Sequence, residues 1–405
     1  MIEITAYLSP NGQHTTTAAG PATRLQVATI EGMATLARKG VGEPWIHVSS
    51  SLTDRHIGSL VFEPVSGQLF AGTHENGGIW VSEDGEGKSW RRASKGLDRA
   101  NVYSLAQRNA GGRVTLLAGT EPTGLYRSDD SGSNWTEIPA IFRVPDTDKW
   151  TFPGPPFIPH VKALTFHPTE PRTFFVLIEQ GALLRTTDDG ASFVELAAYS
   201  RPGELAYRDL HRLLISPVHP SELFLATGEG LYRSEDAGQS WVHLMKRGEL
   251  IGYPDQLFYD PFDRRTLFMA GTAKSPNDWH RTHRCDPHVL KSHDRGDSWV
   301  ELENGITKPV GVSFEAMCQH VWKDGYMLAL ASAAGQIWTS ENGGESWTAA
   351  ATKLAPVAKD HHYLPFLPEQ ERQKWMARRQ ERTGIAPGRP PGAPPGRSEA
   401  TTGSR

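Results

Sequence analysis

The stretch Ser234-Glu235-Asp236-Ala237-Gly238-Gln239-Ser240-Trp241 has the composition of a tight turn that leads into a strand. The carboxylate of Asp236 can accept hydrogen bonds from nearby backbone N–H groups, which closes a turn. Gly238 permits a left-handed backbone angle that larger residues resist. Trp241 then offers a large apolar side chain that can pack between neighbouring sheets. The stretch therefore predicts a hairpin whose turn is held by its own polar groups.

The same eight-residue pattern occurs six times along the chain. Four copies follow it closely, the first copy has one extra residue, and the last has Asn342 in place of the aspartate. Each copy ends in an aromatic residue, and these are Trp90, Trp135, Phe193, Trp241, Trp299 and Trp347. Successive aromatic residues are 45 to 58 positions apart. A period of this size is typical of propeller blades or solenoid units.

The pattern Ser-x-Asp-x-Gly-x-Ser/Thr-Trp resembles the Asp-box repeat, also called the BNR repeat. That repeat occurs in sialidases, xyloglucan-degrading glycosidases, sortilin-type receptors and bacterial propellers similar to photosystem II assembly factors. The resemblance implies an all-β β-propeller. It also implies that each Asp-box turn joins the third and fourth strands of a blade, on the face opposite to the one where propellers usually bind ligands.

Short strands rich in Val, Leu, Phe and Tyr divide residues 25–368 into seven blades, so we predict a single seven-bladed β-propeller with six Asp-box hairpins. The first blade shows only three strands. Residues 360–368 match the nine-residue template of the inner strands, as residues 160–168 do, and are predicted to supply the missing strand. The ring would then be closed by N- and C-terminal segments, which removes a weak seam.

The two ends of the chain fall outside this pattern. Residues 1–24 are predicted to be a mobile N-terminal arm. Residues 369–405 are predicted to form a short charged helix followed by a disordered tail rich in Pro and Gly.

The bulk composition excludes several classes of protein. The 405 residues carry a net charge of −4, which is not the signature of a nucleic-acid or membrane binder. No apolar run reaches 18 residues, and no signal peptide is visible at the N-terminus. Two cysteines do not make a disulfide framework. We therefore expect a cytoplasmic monomer that binds neither nucleic acid nor membrane.

Alternate residues of each innermost strand point into the central channel. The template nominates its first and third positions, which are His56/Gly58, Asn101/Tyr103, His160/Lys162, Asp209/His211, Tyr253/Asp255 and Asp360/His362. In blade seven we expect the channel-facing residue to be Phe314, Glu315 or Ala316. Imidazole and carboxylate groups together suit a divalent metal ion or an acid/base pair. Polar side chains at a wet channel mouth can equally be solvated without a ligand.

These positions give three sets of candidate site residues. The catalytic candidates are His160, Asp209, His211 and Asp255. The metal candidates, for a divalent ion as cofactor, are His56, His160, His211, Asp360 and His362. The ligand-binding candidates are Lys162, Arg212, Tyr253, the loop residues Glu121 and Glu179, and Trp150 and Trp279 in two long insertions, 145–159 and 274–288.

Two functions fit this pattern. The first is a binding or assembly scaffold that holds a protein segment or a small polar ligand at the channel mouth. The alternative is a glycosidase-like hydrolase or lyase that uses the His/Asp cluster, with or without a metal ion. Sialidase activity is not expected, because Phe142-Arg143-Val144-Pro145 resembles the sialidase motif but follows the second Asp box. Xyloglucanases of this type use two propellers, whereas this chain has one.

Overall fold

The computed structural model describes residues 3–152, 157–198, 209–307 and 310–383. These residues form seven sheets arranged as a seven-bladed β-propeller, which confirms the predicted fold. Six sheets have four strands and the seventh has five. Two α-helices and a few turns of 3₁₀-helix accompany them within the described ranges.

The strands of the first three blades, with one strand of the last, come first in the chain. They are β1 (Thr5–Leu8), β2 (Thr15–Thr17), β3 (Arg24–Thr29), β4 (Gly32–Ala37), β5 (Ile46–Ser51), β6 (Ile57–Glu63), β7 (Gln68–Thr73), β8 (Gly78–Ser82), β9 (Arg91–Arg92), β10 (Asn101–Ala110), β11 (Arg113–Glu121), β12 (Gly124–Ser128) and β13 (Thr136–Glu137).

The remaining strands complete blades four to seven. They are β14 (Val161–Phe166), β15 (Phe174–Ile178), β16 (Ala182–Thr186), β17 (Val194–Ala198), β18 (Leu210–Ile215), β19 (Leu223–Thr227), β20 (Gly230–Ser234), β21 (Val242–Lys246), β22 (Tyr253–Tyr259), β23 (Leu267–Thr272), β24 (Pro287–Ser292), β25 (Val300–Glu301), β26 (Phe314–Trp322), β27 (Gly325–Ser332), β28 (Ile337–Ser340) and β29 (Thr348–Ala351). The helices are α1 (Pro276–Thr282) and α2 (Glu369–Thr383), and 3₁₀-helix covers Pro139–Arg143, Thr147–Lys149 and Leu364–Phe366.

Each eight-residue turn joins the third and fourth strands of its blade, as predicted. In the turn between β20 and β21, the Ser234 hydroxyl donates to Asp236 Oδ1 at 2.7 Å and accepts from the backbone N–H of Gly238 at 2.8 Å. Asp236 Oδ1 also accepts from the backbone N–H of Ser240 at 2.9 Å. Gly238 has φ +87°, a left-handed angle that favours glycine. The turn is therefore closed by its own side chains.

The aromatic residue that ends each turn packs into the apolar layer between blades. Trp135 is buried in a cluster that contains Phe70 and Val81 of blade two and Leu116 of blade three. Its indole N–H donates to the carbonyl of Ala93 at 2.8 Å, which satisfies the polar atom inside the core.

The route by which the ring closes differs from the one predicted. Residues 360–368 form turns and a short 3₁₀-helix and do not supply a strand, since Pro365 has no N–H for a strand ladder. Instead β1 takes the inner position of blade one, parallel to β3. Strand β2 adds to blade seven, parallel to β26. The segment expected to be a mobile arm is thus held by strand pairing from residue 5 onward.

The described chain ends in helix α2, and Arg378 on this helix pairs with Glu31 at 3.0 Å. The predicted tail, residues 384–405, lies outside the described residues. No helix in the described ranges is both long and apolar enough to cross a membrane.

Candidate functional site

One β-bulge recurs near the start of the innermost strand in blades two to seven. In each of these strands the pairing register slips by one residue at the same place, as between Val161 and Ala163 in β14. A bulge leaves one residue unpaired and re-aims its side chain. The six bulged residues are Gly58, Tyr103, Lys162, His211, Asp255 and Glu315, which we call the bulge ring. In blade seven, where three residues were candidates for the channel-facing position, the bulged residue is Glu315.

The first half of the site is a buried ion cluster on blades three and four. The fully buried His160 places Nε2 2.9 Å from Glu179 Oε2, and Lys162 Nζ donates to the same oxygen at 2.6 Å. His160 Nδ1 lies 3.4 Å from Glu121 Oε2. The ring of Tyr103 stacks on that of His160 with centroids 3.7 Å apart. These contacts bring together four predicted site residues.

Electrostatics within this cluster favour the charged forms. Burial alone would lower the pKa of Lys162 and His160, but the neighbouring carboxylates outweigh it, so both pKa values are raised. Burial alone would raise the pKa of Glu179, yet Lys162 and His160 hold it well below its usual range. Glu179 is therefore an ionised carboxylate inside the protein, paired with buried cations.

The second half of the site lies on blades five and six. His211 Nδ1 donates to the carbonyl of Pro254 at 2.6 Å, and its Nε2 lies 3.5 Å from Asp209 Oδ1. Asp255 forms an ion pair with Lys359. Burial would raise the pKa of Asp255, but Lys359 and His211 lower it strongly. The predicted catalytic residues Asp209, His211 and Asp255 thus lie together.

Glu179 links the two halves. Ligand atoms of Glu179, Asp209 and His211 all lie within 4.8 Å of one another. His211 Nε2, Asp209 Oδ1 and the hydroxyl of Tyr103 are buried and make no hydrogen bond among the described residues, whereas His160 Nδ1 has its contact with Glu121. We call the region around Tyr103, His160, Glu179, Asp209 and His211 the channel site.

The predicted metal set is not assembled as one group. Across the described ranges, two groups hold three potential ligands: Glu179/Asp209/His211, and His288/Glu301/Glu303 on blade six. Only His211 of the predicted metal candidates belongs to either group. His56 instead bonds through Nε2 to the carbonyl of Ala358, and its ring packs on His74 at 4.5 Å. His362 Nδ1 lies 3.3 Å from Glu315 Oε1, and Asp360 pairs with His361.

The N-terminal segment between β1 and β2 spans the channel. The N–H of Asn11 donates to the carbonyl of Gly58 on blade two at 3.0 Å. The carbonyl of Pro10 accepts from Arg212 Nη2 on blade five at 3.2 Å. Arg212, predicted to bind a ligand, also donates to the carbonyl of Asp255 at 3.0 Å. Its guanidinium is therefore already hydrogen-bonded to the backbone of the protein. Burial lowers the pKa of Arg212 to about 10.

The chain covers the mouth of the channel with two of its own segments. In the first, residues 355–367, Lys359 reaches inward to Asp255, and the carbonyl of Pro365 accepts from His283 Nδ1 at 2.7 Å. The second is the insertion that carries α1, where Trp279 is fully buried against Tyr253. We call these two segments the cover. Trp279 of the cover therefore packs against Tyr253 beneath it, although both were predicted to contact a ligand.

Trp150, the other predicted aromatic contact, is also a core residue. It is 6% exposed and packs in a cluster with Ile178, Ala182 and Val144. An aromatic residue in a long insertion gives the same sequence signal whether the loop is open or folded back on the blades. Only the packing distinguishes the two cases.

Lys359 is a buried charge that sequence reasoning missed. It follows the last full blade and lies outside the repeats, so no template position points to it. Glu315 was one of the three residues predicted for blade seven, and the bulge ring selects it, in register with Asp255 of the preceding blade.

Comparison with known proteins gives partial likenesses. No family model matches the chain. The xyloglucanase Xgh74A of Acetivibrio thermocellus is 28% identical over 159 residues, which is 36% of this chain and 17% of that protein. The chain therefore spans about a sixth of the length of this curated relative.

Solved structures show the same fold at low identity. The crystal structure of an ancestral GH74 enzyme has a TM-score of 0.53 at 13% identity, covering 73% of this chain and 38% of that chain. The extracellular domain of a hybrid two component system from B. thetaiotaomicron has a TM-score of 0.50 at 12% identity, covering 86% of this chain and 48% of its own. The neighbours agree with the predicted resemblance to glycoside-hydrolase-type propellers, and at these identities they show the fold alone.

Proposed function

We propose that the protein binds a small polar ligand at the channel site. The observation that carries this proposal is the set of buried polar atoms on Tyr103, Asp209 and His211 that make no hydrogen bond within the described part of the chain. A buried polar atom without a hydrogen bond costs about 1–3 kcal/mol. Three such atoms in one region are costly unless ordered water or a bound ligand satisfies them, and a polar ligand can satisfy all three together.

A small ligand fits this site better than a protein segment does. The cover occupies the mouth of the channel, and residues 9–13 span the channel. An extended peptide would have to displace one of these segments, together with the Lys359–Asp255 ion pair. The small-ligand form of the predicted binding function is therefore the one that we adopt.

The unpartnered atoms also define the chemistry of the ligand. The Asp209 carboxylate and His211 Nε2 accept hydrogen bonds, and the Tyr103 hydroxyl can donate or accept. A molecule with several hydroxyl groups would satisfy such a mixed set. The curated relative is named as a xyloglucanase, which makes carbohydrate the first class to test.

The test is calorimetric titration of the full chain with xylose, glucose, cellobiose and a xyloglucan heptasaccharide. We expect saturable binding of at least one sugar, and Tyr103→Phe to weaken that binding about tenfold, because it removes one hydrogen bond to the ligand. Tyr326→Phe is the matched control, since that hydroxyl donates to Asp260 outside the channel. Lack of binding by every sugar, or equal affinity in Tyr103→Phe, would overturn the proposal. Cleavage of a bound sugar, followed by chromatography, would instead assign the hydrolase or lyase alternative.

A further inference from the structure

Three side chains of the channel site have the composition of a metal-binding group. Glu179 directly follows β15, Asp209 directly precedes β18, and His211 is the bulged residue of β18. The 3.5 Å between His211 Nε2 and Asp209 Oδ1 matches the roughly 3.4 Å between two ligands held about 2.1 Å from a tetrahedral ion. This pair needs no rearrangement to hold an ion.

The tautomer of His211 favours coordination. A carbonyl oxygen can only accept, so the 2.6 Å bond to Pro254 requires the proton to be on Nδ1. In the neutral ring, Nε2 then carries the lone pair. His211 is 1% exposed, and Nε2 has no hydrogen-bond partner in the described part of the chain. Metal-binding histidines in proteins are held by this type of bond from the other ring nitrogen to a carbonyl.

The carboxylate of Glu179 is also fixed in place. Lys162 and His160 both bond to its Oε2, at 2.6 and 2.9 Å. Such contacts around a ligand orient it and are characteristic of metal sites. His211 and Glu179 are therefore both oriented by their neighbours, and His211 Nε2 has no hydrogen-bond partner among the described residues.

The balance of charge around the channel site suits a cation. Three permanently basic side chains lie there, namely Lys162, Arg212 and Lys359, and His160 adds a fourth cationic group. Six carboxylates face them, namely Glu121, Glu179, Asp209, Asp255, Glu315 and Asp360. A divalent ion would neutralise part of this excess of negative charge.

We infer that Glu179, Asp209 and His211 bind one divalent transition-metal ion. One imidazole with two carboxylates favours Zn²⁺ or Mn²⁺ over Ca²⁺, which takes oxygen ligands alone. The inference deepens the proposed function and rests on it for the role of the ion, which would bind oxygens of the ligand.

The experiment is calorimetric titration of the untagged, EDTA-dialysed full chain with Zn²⁺ and with Mn²⁺, in the absence of sugar. We expect one ion per chain, and at least a tenfold loss of affinity in His211→Ala and in Asp209→Asn. Asp209→Asn keeps the size of the side chain and guards against loss of the fold, which circular dichroism checks. His288→Ala is the matched control, because His288 belongs to the other three-ligand group, on blade six.

Each outcome bears on one of the two proposals. Absence of binding by both ions, or a loss of affinity confined to His288→Ala, would overturn the metal inference. Sugar binding that persists in EDTA would leave the proposed function standing without the metal. Stoichiometric metal binding without sugar binding would support the metal inference and overturn the proposed binding of sugar.

Discussion

The eight-residue turns and the channel site use the same residue types in opposite ways. In the turns the carboxylate is exposed and its oxygens are satisfied within four residues, as Asp236 is by Ser234 and Ser240. In the channel site, Asp209 Oδ1 and His211 Nε2 are buried and lack a hydrogen-bond partner among the described residues. The turns therefore satisfy their own polar atoms, whereas the described residues of the channel site leave some buried polar atoms without hydrogen bonds.

Repetition sharpens this contrast. The turn repeats its side chains from blade to blade, as expected of a device that builds hairpins. The bulge ring repeats only its backbone, and each blade presents a different side chain, from Gly58 to Glu315. A backbone feature that recurs with varied side chains offers positions for function on a constant scaffold.

The largest expected effect is on the buried ion pair of the channel. Asp255→Ala leaves Lys359 charged and buried, which is expected to lower the free energy of unfolding by about 3–5 kcal/mol. Urea denaturation followed by circular dichroism measures this change. Glu83→Ala is the control, because its pair with Arg91 is exposed and is expected to contribute less than about 1 kcal/mol. Similar losses in the two variants would show that the channel pair is no different from a surface pair.

Gly58 tests the bulge ring at its smallest member. A Cβ at this position would lie 2.2 Å from His74 Nε2, so Gly58→Ala forces the His74 ring to move within the channel. Overpacking of this kind costs about 1–3 kcal/mol. Gly40→Ala is the matched control, since nothing lies within 4 Å of its Cβ. Equal stability of the two variants in urea would mean that the inner strand adjusts freely and that the bulge ring is not rigid.

The turn itself gives the third effect. Ser234→Ala removes the hydroxyl that bonds to Asp236 and leaves the buried N–H of Gly238 without its acceptor, at a cost of about 1–2 kcal/mol. Ser234→Thr should retain nearly all of the stability, because Thr186 makes the same two bonds in its own turn. Thermal unfolding of both variants provides the measurement. A Thr variant as unstable as the Ala variant would contradict the equivalence of the turns.

The turns were predictable from sequence because their chemistry is local. Ser234, Asp236 and Gly238 lie within five positions, so the sequence shows donor, acceptor and backbone freedom together. Ring closure was not predictable in the same way. The pairing of β1 with β3 depends on contacts between separate segments, and the template that selected residues 360–368 recorded only the sequence of a single strand.

The candidate site was predicted in part for a similar reason. His160, Lys162 and His211 followed from a template that repeats in every blade, so their position was set by register. Lys359 enters the channel from outside the repeats, and Trp279 points inward from the cover. The repeat period of the sequence indicates neither of these placements. The repeated part of the fold therefore reveals its site residues, and the unrepeated segments do not.

The smallest expected effect is a loss of stability of the turns at low pH. Hydrogen bonds from Ser192, Ser240 and Ser298 lower the pKa of Asp188, Asp236 and Asp294 to about 2, below the ordinary value of 3.8. A carboxylate with a lowered pKa in the folded state stabilises the protein fully above its unfolded pKa, and this stabilisation is lost as the pH falls through the folded value. The turns should therefore lose stability between about pH 4 and pH 2.

The natural turn at Asn342 provides the control for this prediction. Asn342 accepts from the backbone N–H of Ser346 at 3.0 Å and donates to its hydroxyl at 2.8 Å, so a neutral amide keeps the turn without titrating. A variant with Asn at 188, 236 and 294 should therefore differ in Tm from the parent protein near pH 5. That difference should shrink toward pH 2, because all other titrating groups are common to both proteins. A Tm difference that stays constant across this range would show that protonation of the turn carboxylates does not weaken their hydrogen bonds. The negative charge of these carboxylates would then contribute nothing to the stability of the turns.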